Sequence, residues 1–246
     1  MRVPRIHVAT QLEPRALVEL PAPSVDYLAK VLRLEAGHPL RVFNGDGLEY
    51  DAEITTISKR GAQVRLTSPG AEVAVESRLR ITLAQGVARG EKMDWIVQKA
   101  VELGVHRIVP IITERTEVKL DAVRAERRVA HWQAVAISAC EQCGRAVVPV
   151  IATPVKLVTW AASLADGAGL RLSLDPKATT SPRSLSLPHN MATLAIGPEG
   201  GLATNDLAVL AAANFVGMRL GPRILRTETA GIVAISALQT LYGDLG

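Results

Sequence analysis

The chain has 246 residues, 48% of them hydrophobic and 21% charged, and its 28 Lys/Arg outnumber its 24 Asp/Glu for a net charge of +4. That length holds one or two domains with a substantial core, and no apolar run approaches the roughly 18 residues needed to span a bilayer. Three Trp, three Tyr and two Phe are too few and too scattered for a base-stacking platform of the RRM or OB type.

The opening Met-Arg-Val-Pro-Arg lacks the pattern of a signal peptide, so the expectation is a cytoplasmic protein with no membrane partner. Residues 1–70 then read as short strands, "RVPRIHVA", "PLRVFNG", "LEYDAEITTIS" and "GAQVRLTS". Turn signals at Asn44-Gly45-Asp46-Gly47 and Lys59-Arg60-Gly61 separate the later ones. One helical stretch, "SVDYLAKVLRL", begins with Ser24 as an N-cap candidate. Several short strands with a single helix predict a small closed or nearly closed β-barrel. The segment 68–78, "SPGAEVAVESR", has the composition of a linker.

From residue 79 strands and helices alternate. "LRITLAQG" precedes helical "EKMDWIVQKAVELG", then strand-like "RIVPII" and a long helix around "AERRVAHWQAVAISACEQ". "AVVPVI", "LVTWAASLA", "LRLSLD", "ATLAIG", "NDLAVLAAA", "FVGMRLG" and "TAGIVAISALQTLYG" continue the series. The pattern predicts an α/β domain over 79–246 with a mainly parallel sheet. Cys140 and Cys143 close the long helix as a C-x-x-C. No second ligand pair exists to complete a zinc site, so they read as reduced thiols and no metal is expected. Charge is spread evenly: nine Lys/Arg against eight Asp/Glu in residues 1–70, eleven against nine in 71–130, eight against seven in 131–246. No basic tail marks a nucleic-acid partner.

Three strand ends share a device. "LSLDP" ends in Asp175-Pro176, "LAIGPEGG" in Gly197-Pro198-Glu199, and "MRLGPRIL" in Gly221-Pro222-Arg223. Proline fixes its own φ and keeps the preceding residue out of helical geometry, so each chain leaves its strand in a set direction. In open parallel sheets ligands sit beyond the carboxyl ends of the strands, which makes these loops a candidate cradle. G-x-G-x-x-G, G-x-x-x-x-G-K-[ST] and G-x-S-x-G are all absent, which disfavours a dinucleotide site, a P-loop and a hydrolase elbow.

Taken together, "IGPEGGL" (196–202) and "LGPRILRTETA" (220–230) resemble the SPOUT class of methyltransferases. With "RGEKMDWIVQKAVELGV" (89–105), "ERTEVKL" (114–120), "ACEQCGR" (139–145) and the initial "MRVPRI", the chain resembles the ribosomal RNA small subunit methyltransferase E family. The resemblance implies a PUA-like RNA-binding barrel over 1–70 and a SPOUT domain with a deep trefoil knot over 79–246. It also implies a homodimer, S-adenosyl-L-methionine as methyl donor, and N3 of one uridine in the 16S rRNA of the small ribosomal subunit as target. Leu174, Ile196, Gly197, Pro198, Gly201, Leu220, Gly221, Ile224, Leu225 and Thr229 are the implied cofactor contacts.

Uracil N3 carries a proton at neutral pH, so the reaction needs positioning, a proton acceptor and a cation for the developing anion. Arg226 is the expected anion stabiliser, and Glu228 or Glu199 the acceptor. Arg2 and Arg5, with Lys92 and Arg145, are the expected RNA contacts. Two other readings remain open on the residues alone: an RNA-binding adaptor that kept the fold without the chemistry, and an enzyme whose loops take an anionic nucleotide.

Overall fold

Period-two alternation builds the first sheet. Along Leu48–Ser58, Tyr50, Ala52 and Ile54 are buried while Asp51 and Glu53 face solvent, as a half-buried strand requires. The computed structural model describes residues 3–165, 167 and 169–246, excepting the side chain of Pro188. Its first sheet comprises Arg5–His7 (β1), Leu17–Glu19 (β2), Pro39–Phe43 (β3), Leu48–Ser58 (β4), Gly61–Leu66 (β5) and Ala71–Glu72 (β6). The order is β1-β3-β4-β5-β2, with β6 beside β4. Ile6, Val18, Leu28, Val42, Ile54 and Val64 are among the residues of its core.

Two strands escape the sequence pattern. β2 has a single buried residue, Val18, and β6 is two residues inside the expected linker, so neither shows a period. The helix also starts earlier than expected: Ala22–Asp26 (α1) is capped by Pro21, with Pro23 in its first turn, and continues as a π-helical turn over Tyr27–Val31. Proline is favoured in the first turn because the N–H it lacks has no partner there. Ser24 is thereby inside the helix and not its cap.

The first compact unit runs through Glu76 and also includes Cys140–Val148. The second unit, Ser77–Ala139 with Pro149–Gly246, is the α/β part. Its elements are Arg80–Gly86 (β7), Lys92–Glu102 (α2), Arg107–Ile112 (β8), Ala122–Cys143 (α3, whose last turn belongs to the first unit), Val150–Ile151 (β9) and Val155–Lys156 (β10). Then come Leu157–Ala162 (α4), Leu170–Leu174 (β11), Met191–Ile196 (β12), Thr204–Ala212 (α5), Val216–Met218 (β13) and Thr227–Tyr242 (α6). Of the expected strand 146–151 only β9 is extended; Ala146 instead accepts a hydrogen bond from the Gly47 N–H in the first unit.

Every pairing in the second sheet is parallel, in the order β10-β8-β7-β12-β11-β13, with β9 beside β8. Sheets of this kind are covered on both faces, which explains the nearly unbroken apolar runs of β7, β8 and β12. Ala84 and Ala195 pack with Leu157, Trp160, Leu210 and Phe215, from α4, α5 and the chain just beyond α5. Leu83, Gln85 and Ile196 face the opposite way, towards Gly231 of α6.

Candidate active site

Register brings three strand ends level. Ser173 of β11 pairs with Ala195 of β12 and with Gly217 of β13. One residue further on, Leu174, Ile196 and Met218 open into a cleft of about 720 Å³ beyond the carboxyl edge of the sheet. Its walls are the chain after each strand, Asp175–Lys177, Gly197–Leu202 and Arg219–Arg226 without Pro222, together with Thr227, Glu228 and Ala230 of α6, and Lys92 and Arg115.

The expected cofactor residues Leu174, Ile196, Gly197, Pro198, Gly201, Leu220, Gly221, Ile224 and Leu225 all line this cleft. Thr229 does not: it is exposed. Thr227 lines the cleft in its stead, and residues two apart on a helix do not share a face. Thr227 is buried and its Oγ1 donates to the Gly197 carbonyl at 2.6 Å. Gln85, at the end of β7, has no exposed surface and donates from Nε2 to Thr227 Oγ1 (2.9 Å) and the Gly86 carbonyl (3.0 Å). One side chain thus ties the ends of β7 and β12 to the start of α6. The visible signal was a polar residue inside an apolar strand.

The loop after β12 is a tight turn in which Pro198 accepts from the Gly201 N–H at 2.9 Å. A Cβ on Gly197 would stand 2.6 Å from the Gly201 carbonyl carbon, so the turn itself demands glycine there. Gly201 differs: its φ is +70° and a Cβ would meet nothing within 4 Å. Asp206, buried in the first turn of α5, braces the same loop. Its Oδ2 accepts from the Ala203 N–H at 2.8 Å and its Oδ1 from the Glu114 N–H at 3.2 Å. This is the acidic half of a capping box, reaching also to the "ERTEV" loop.

The two candidate proton acceptors sit in different environments. Glu199 Oε1 accepts from the Arg89 backbone N–H and from Lys92 Nζ, each at 3.0 Å. Partial burial pushes its carboxyl up, but the Arg89 N–H, its own N–H and Lys92 outweigh that and hold it below the usual carboxylate range. Glu228, in the first turn of α6, has a buried Oε2 with no hydrogen-bond partner. Arg226 is the N-cap residue of α6; its exposed guanidinium lines the cleft with no ion pair or hydrogen bond to the described residues. Beside it, Ile224 is 84% exposed.

The expected RNA contacts fare differently. Arg2 lies outside the described residues. Lys92 belongs to the cleft through its pair with Glu199. Arg5 and Arg145 are interior residues, with side chains 6% and 5% exposed. Arg5 pairs with Glu49, donates to the carbonyls of Cys140 and Arg145, and lies over the Phe43 ring. Arg145 holds Glu76 through Nε and Nη2. A buried guanidinium matched to a carboxylate is spoken for, and neither presents itself to a phosphate. Glu141 accepts from the His7 N–H at 3.0 Å, and burial pushes its carboxyl up against that bond and the nearby Arg5.

Among the described residues no helix is long and apolar enough to cross a membrane, and no group of three or more His, Cys, Asp or Glu could hold a metal ion. Residues 75–239 match the RNA methyltransferase domain family, and residues 20–67 the RNA methyltransferase PUA domain family. The chain is 33% identical to the ribosomal RNA small subunit methyltransferase E of Buchnera aphidicola subsp. Acyrthosiphon pisum, over 99% of this chain and 95% of that one. A Legionella pneumophila protein solved with bound SAM superposes with a TM-score of 0.94 at 39% identity, over the whole of both chains. The ribosomal RNA small subunit methyltransferase E of Neisseria gonorrhoeae, solved with S-adenosyl methionine, does so at 0.91 and 34%, again over both whole chains. With a PUA domain ahead of a SPOUT-class methyltransferase domain, the chain belongs to the ribosomal RNA small subunit methyltransferase E family.

Proposed function

We propose that this protein transfers the methyl group of S-adenosylmethionine to N3 of a uridine in 16S rRNA, uridine 1498 by its family likeness. It would act as a cytoplasmic homodimer on the small ribosomal subunit, with residues 1–70 serving RNA binding and residues 79–246 catalysis. The cleft fits the donor: open space beside Gly201 and Gly221, both at positive φ, is space a Cβ would fill. Leu174, Ile196, Gly197, Leu220 and Leu225 would hold it. Bound there, the donor supplies a methyl group already activated on a sulfonium.

The protein's own residues then have three tasks. The braced loops fix where the methyl group points, and such positioning supplies roughly 7–11 kcal/mol in favourable systems. The Glu228 carboxylate takes the N3 proton of uracil, and Arg226 stabilises the negative charge that spreads to O2 and O4. The electron pair left on N3 forms the new N–CH₃ bond as the S–CH₃ bond breaks, and the sulfonium becomes a neutral thioether. Glu199, held ionised by Lys92 and the Arg89 N–H, is the poorer acceptor and serves to anchor its loop.

One observation carries this reading: an unpaired guanidinium lines the same cleft as Glu228, a carboxylate whose buried Oε2 has no hydrogen-bond partner. An adaptor without chemistry has no use for either. The test is mass spectrometry of nucleosides from unmethylated small subunits incubated with the protein and methyl-labelled S-adenosylmethionine. One labelled 3-methyluridine is expected; label in any other nucleoside, or in none, overturns the assignment.

A further inference from the structure

Apart from Arg226, the cations of the cleft fall into two groups. Lys92 is bound to Glu199, and Arg115 Nη1 donates to the Gly200 carbonyl at 2.8 Å. Lys177, Arg219 and Arg223 are exposed, line the cleft, and have no side-chain hydrogen bond or ion pair to the described residues. These three come from the chain after β11 and after β13, neighbouring strands of the sheet. The two loops are stitched together: the Asp175 N–H donates to the Met218 carbonyl at 3.1 Å, and the Arg219 N–H to the Thr180 carbonyl at 2.9 Å. Lys177, Arg219 and Arg223 therefore belong to one fastened edge.

The methyl donor cannot account for them. It carries a sulfonium and an ammonium against a single carboxylate, so it is itself a cation, and three unpaired positive groups repel it more than they attract it. They suit a polyanion whose charges are spaced along a chain. Resting on the reading that this cleft methylates RNA, we propose that Lys177, Arg219 and Arg223 grip the sugar–phosphate backbone flanking the target nucleotide. This puts phosphate recognition on the methyltransferase unit, at a site the even charge count along the sequence conceals. Of the eight Lys/Arg in residues 131–246, the fold gathers these three and Arg226 at one cleft.

The test is a salt titration of binding to a 16S rRNA fragment carrying the target uridine. Every phosphate of single-stranded RNA that the protein no longer neutralises takes about 0.7 off the slope of log K against log salt. The triple variant K177Q/R219Q/R223Q should lower the slope by up to about 2 while its affinity for S-adenosylmethionine, relieved of three repelling charges, does not fall. A second triple variant on exposed α3, R124Q/R127Q/R128Q, should leave the slope unchanged. An unaltered slope in the cleft variant, or an equal fall in both, overturns the proposal. Should the triple variant fail to fold, the three single variants decide it, each expected to remove about 0.7. Failure of the wild-type protein to bind S-adenosylmethionine would instead overturn the functional reading, which the same titrations detect separately.

Discussion

Gln85 and Thr227, 142 positions apart in the chain, share a hydrogen bond of 2.9 Å with no access to solvent at Gln85. Because Thr227 Oγ1 in turn donates a hydrogen bond to the Gly197 carbonyl, the pair sets how far α6 stands from the turn after β12. Thr227→Val keeps the shape but removes the hydroxyl between them, leaving the Gln85 amide with the Gly86 carbonyl and the Gly197 carbonyl with only the Gln85 amide at 3.5 Å. The expected cost is about 1–3 kcal/mol in denaturant unfolding, with S-adenosylmethionine binding weakened about tenfold or more by calorimetry. Thr227→Ser, which retains the hydroxyl, should restore most of both; if it does not, packing of the methyl group and not the hydrogen bond is what matters.

Gly201 makes a second test of the cradle. A φ of +70° is strained for any L residue, by roughly 1–2 kcal/mol, yet the space beside it is open. Gly201→Val should therefore fold with only that modest loss. Its branched side chain would occupy the cleft and abolish S-adenosylmethionine binding. Gly201→Ala should show less strain and a smaller loss of affinity, and equal affinities for alanine and valine would mean that the loop does not face the donor.

The two carboxylates should separate kinetically. Glu228→Gln is expected to lower single-turnover methylation by about 10²–10⁴-fold, the usual contribution of a positioned base. Glu199→Gln removes the charge that pairs with Lys92 and weakens the bond from the Arg89 N–H, and should act mainly through weaker donor binding. Arg226→Ala should cost about a hundredfold in turnover with little change in donor affinity, and Lys should rescue little because it lacks the planar fork. Interchanged phenotypes for the two glutamates would exchange their roles.

These contrasts mark what the residue string could show. Gly-Pro after an apolar strand is local chemistry, and the three strand-end loops were readable because proline and glycine restrict the backbone wherever they stand. Thr227 and Thr229 were not separable, since the choice depends on where the first turn of α6 begins. Gln85 and Asp206 announce only that a polar group lies in an apolar stretch; their partners, Thr227 and Glu114, lie 142 and 92 positions away. The surroundings of Arg5 are hidden for the same reason. Its partners Glu49 and Arg145 are 44 and 140 positions distant, and an arginine with no visible partner reads as free to meet RNA. A knot is likewise a matter of threading, which periodicity does not encode.

The C-x-x-C pair should prove chemically unequal. Burial pushes the Cys140 thiol up to about 12, with the Arg145 guanidinium only partly opposing it. The thiolate is the nucleophile, so iodoacetamide at pH 8 should label Cys143 and leave Cys140 untouched in the folded protein, as read by peptide mass spectrometry. The sign of the linkage follows. A neutral thiol favoured by the fold contributes stability that is complete below the unfolded pKa, near 9, and is lost as pH rises towards 12. Cys140→Ala should remove that alkaline loss, and equal labelling of both cysteines would show that Cys140 is not sealed.

Arg5 supplies the sharpest test of the first unit. Its guanidinium joins Glu49 to the carbonyls of Cys140 and Arg145, so it both pairs a nearly buried carboxylate and caps the last turn of α3. Removing one partner of such a pair typically costs about 3–5 kcal/mol, because the other is left charged and dry. Here Arg41 still reaches Glu49 Oε1 at 3.0 Å, which places the expected loss for Arg5→Ala at the lower end of that range. Arg5→Lys keeps the charge but cannot span the carboxylate and two carbonyls together, so it should recover only part of the stability. A surface phosphate contact would behave in the opposite way, with unfolding unchanged and the RNA salt slope reduced by about 0.7. Measuring urea unfolding and the salt slope on the same Arg5→Ala sample separates the two. Lower stability with an unchanged slope is the outcome that the buried geometry requires, and unaltered stability with a reduced slope would return Arg5 to the RNA.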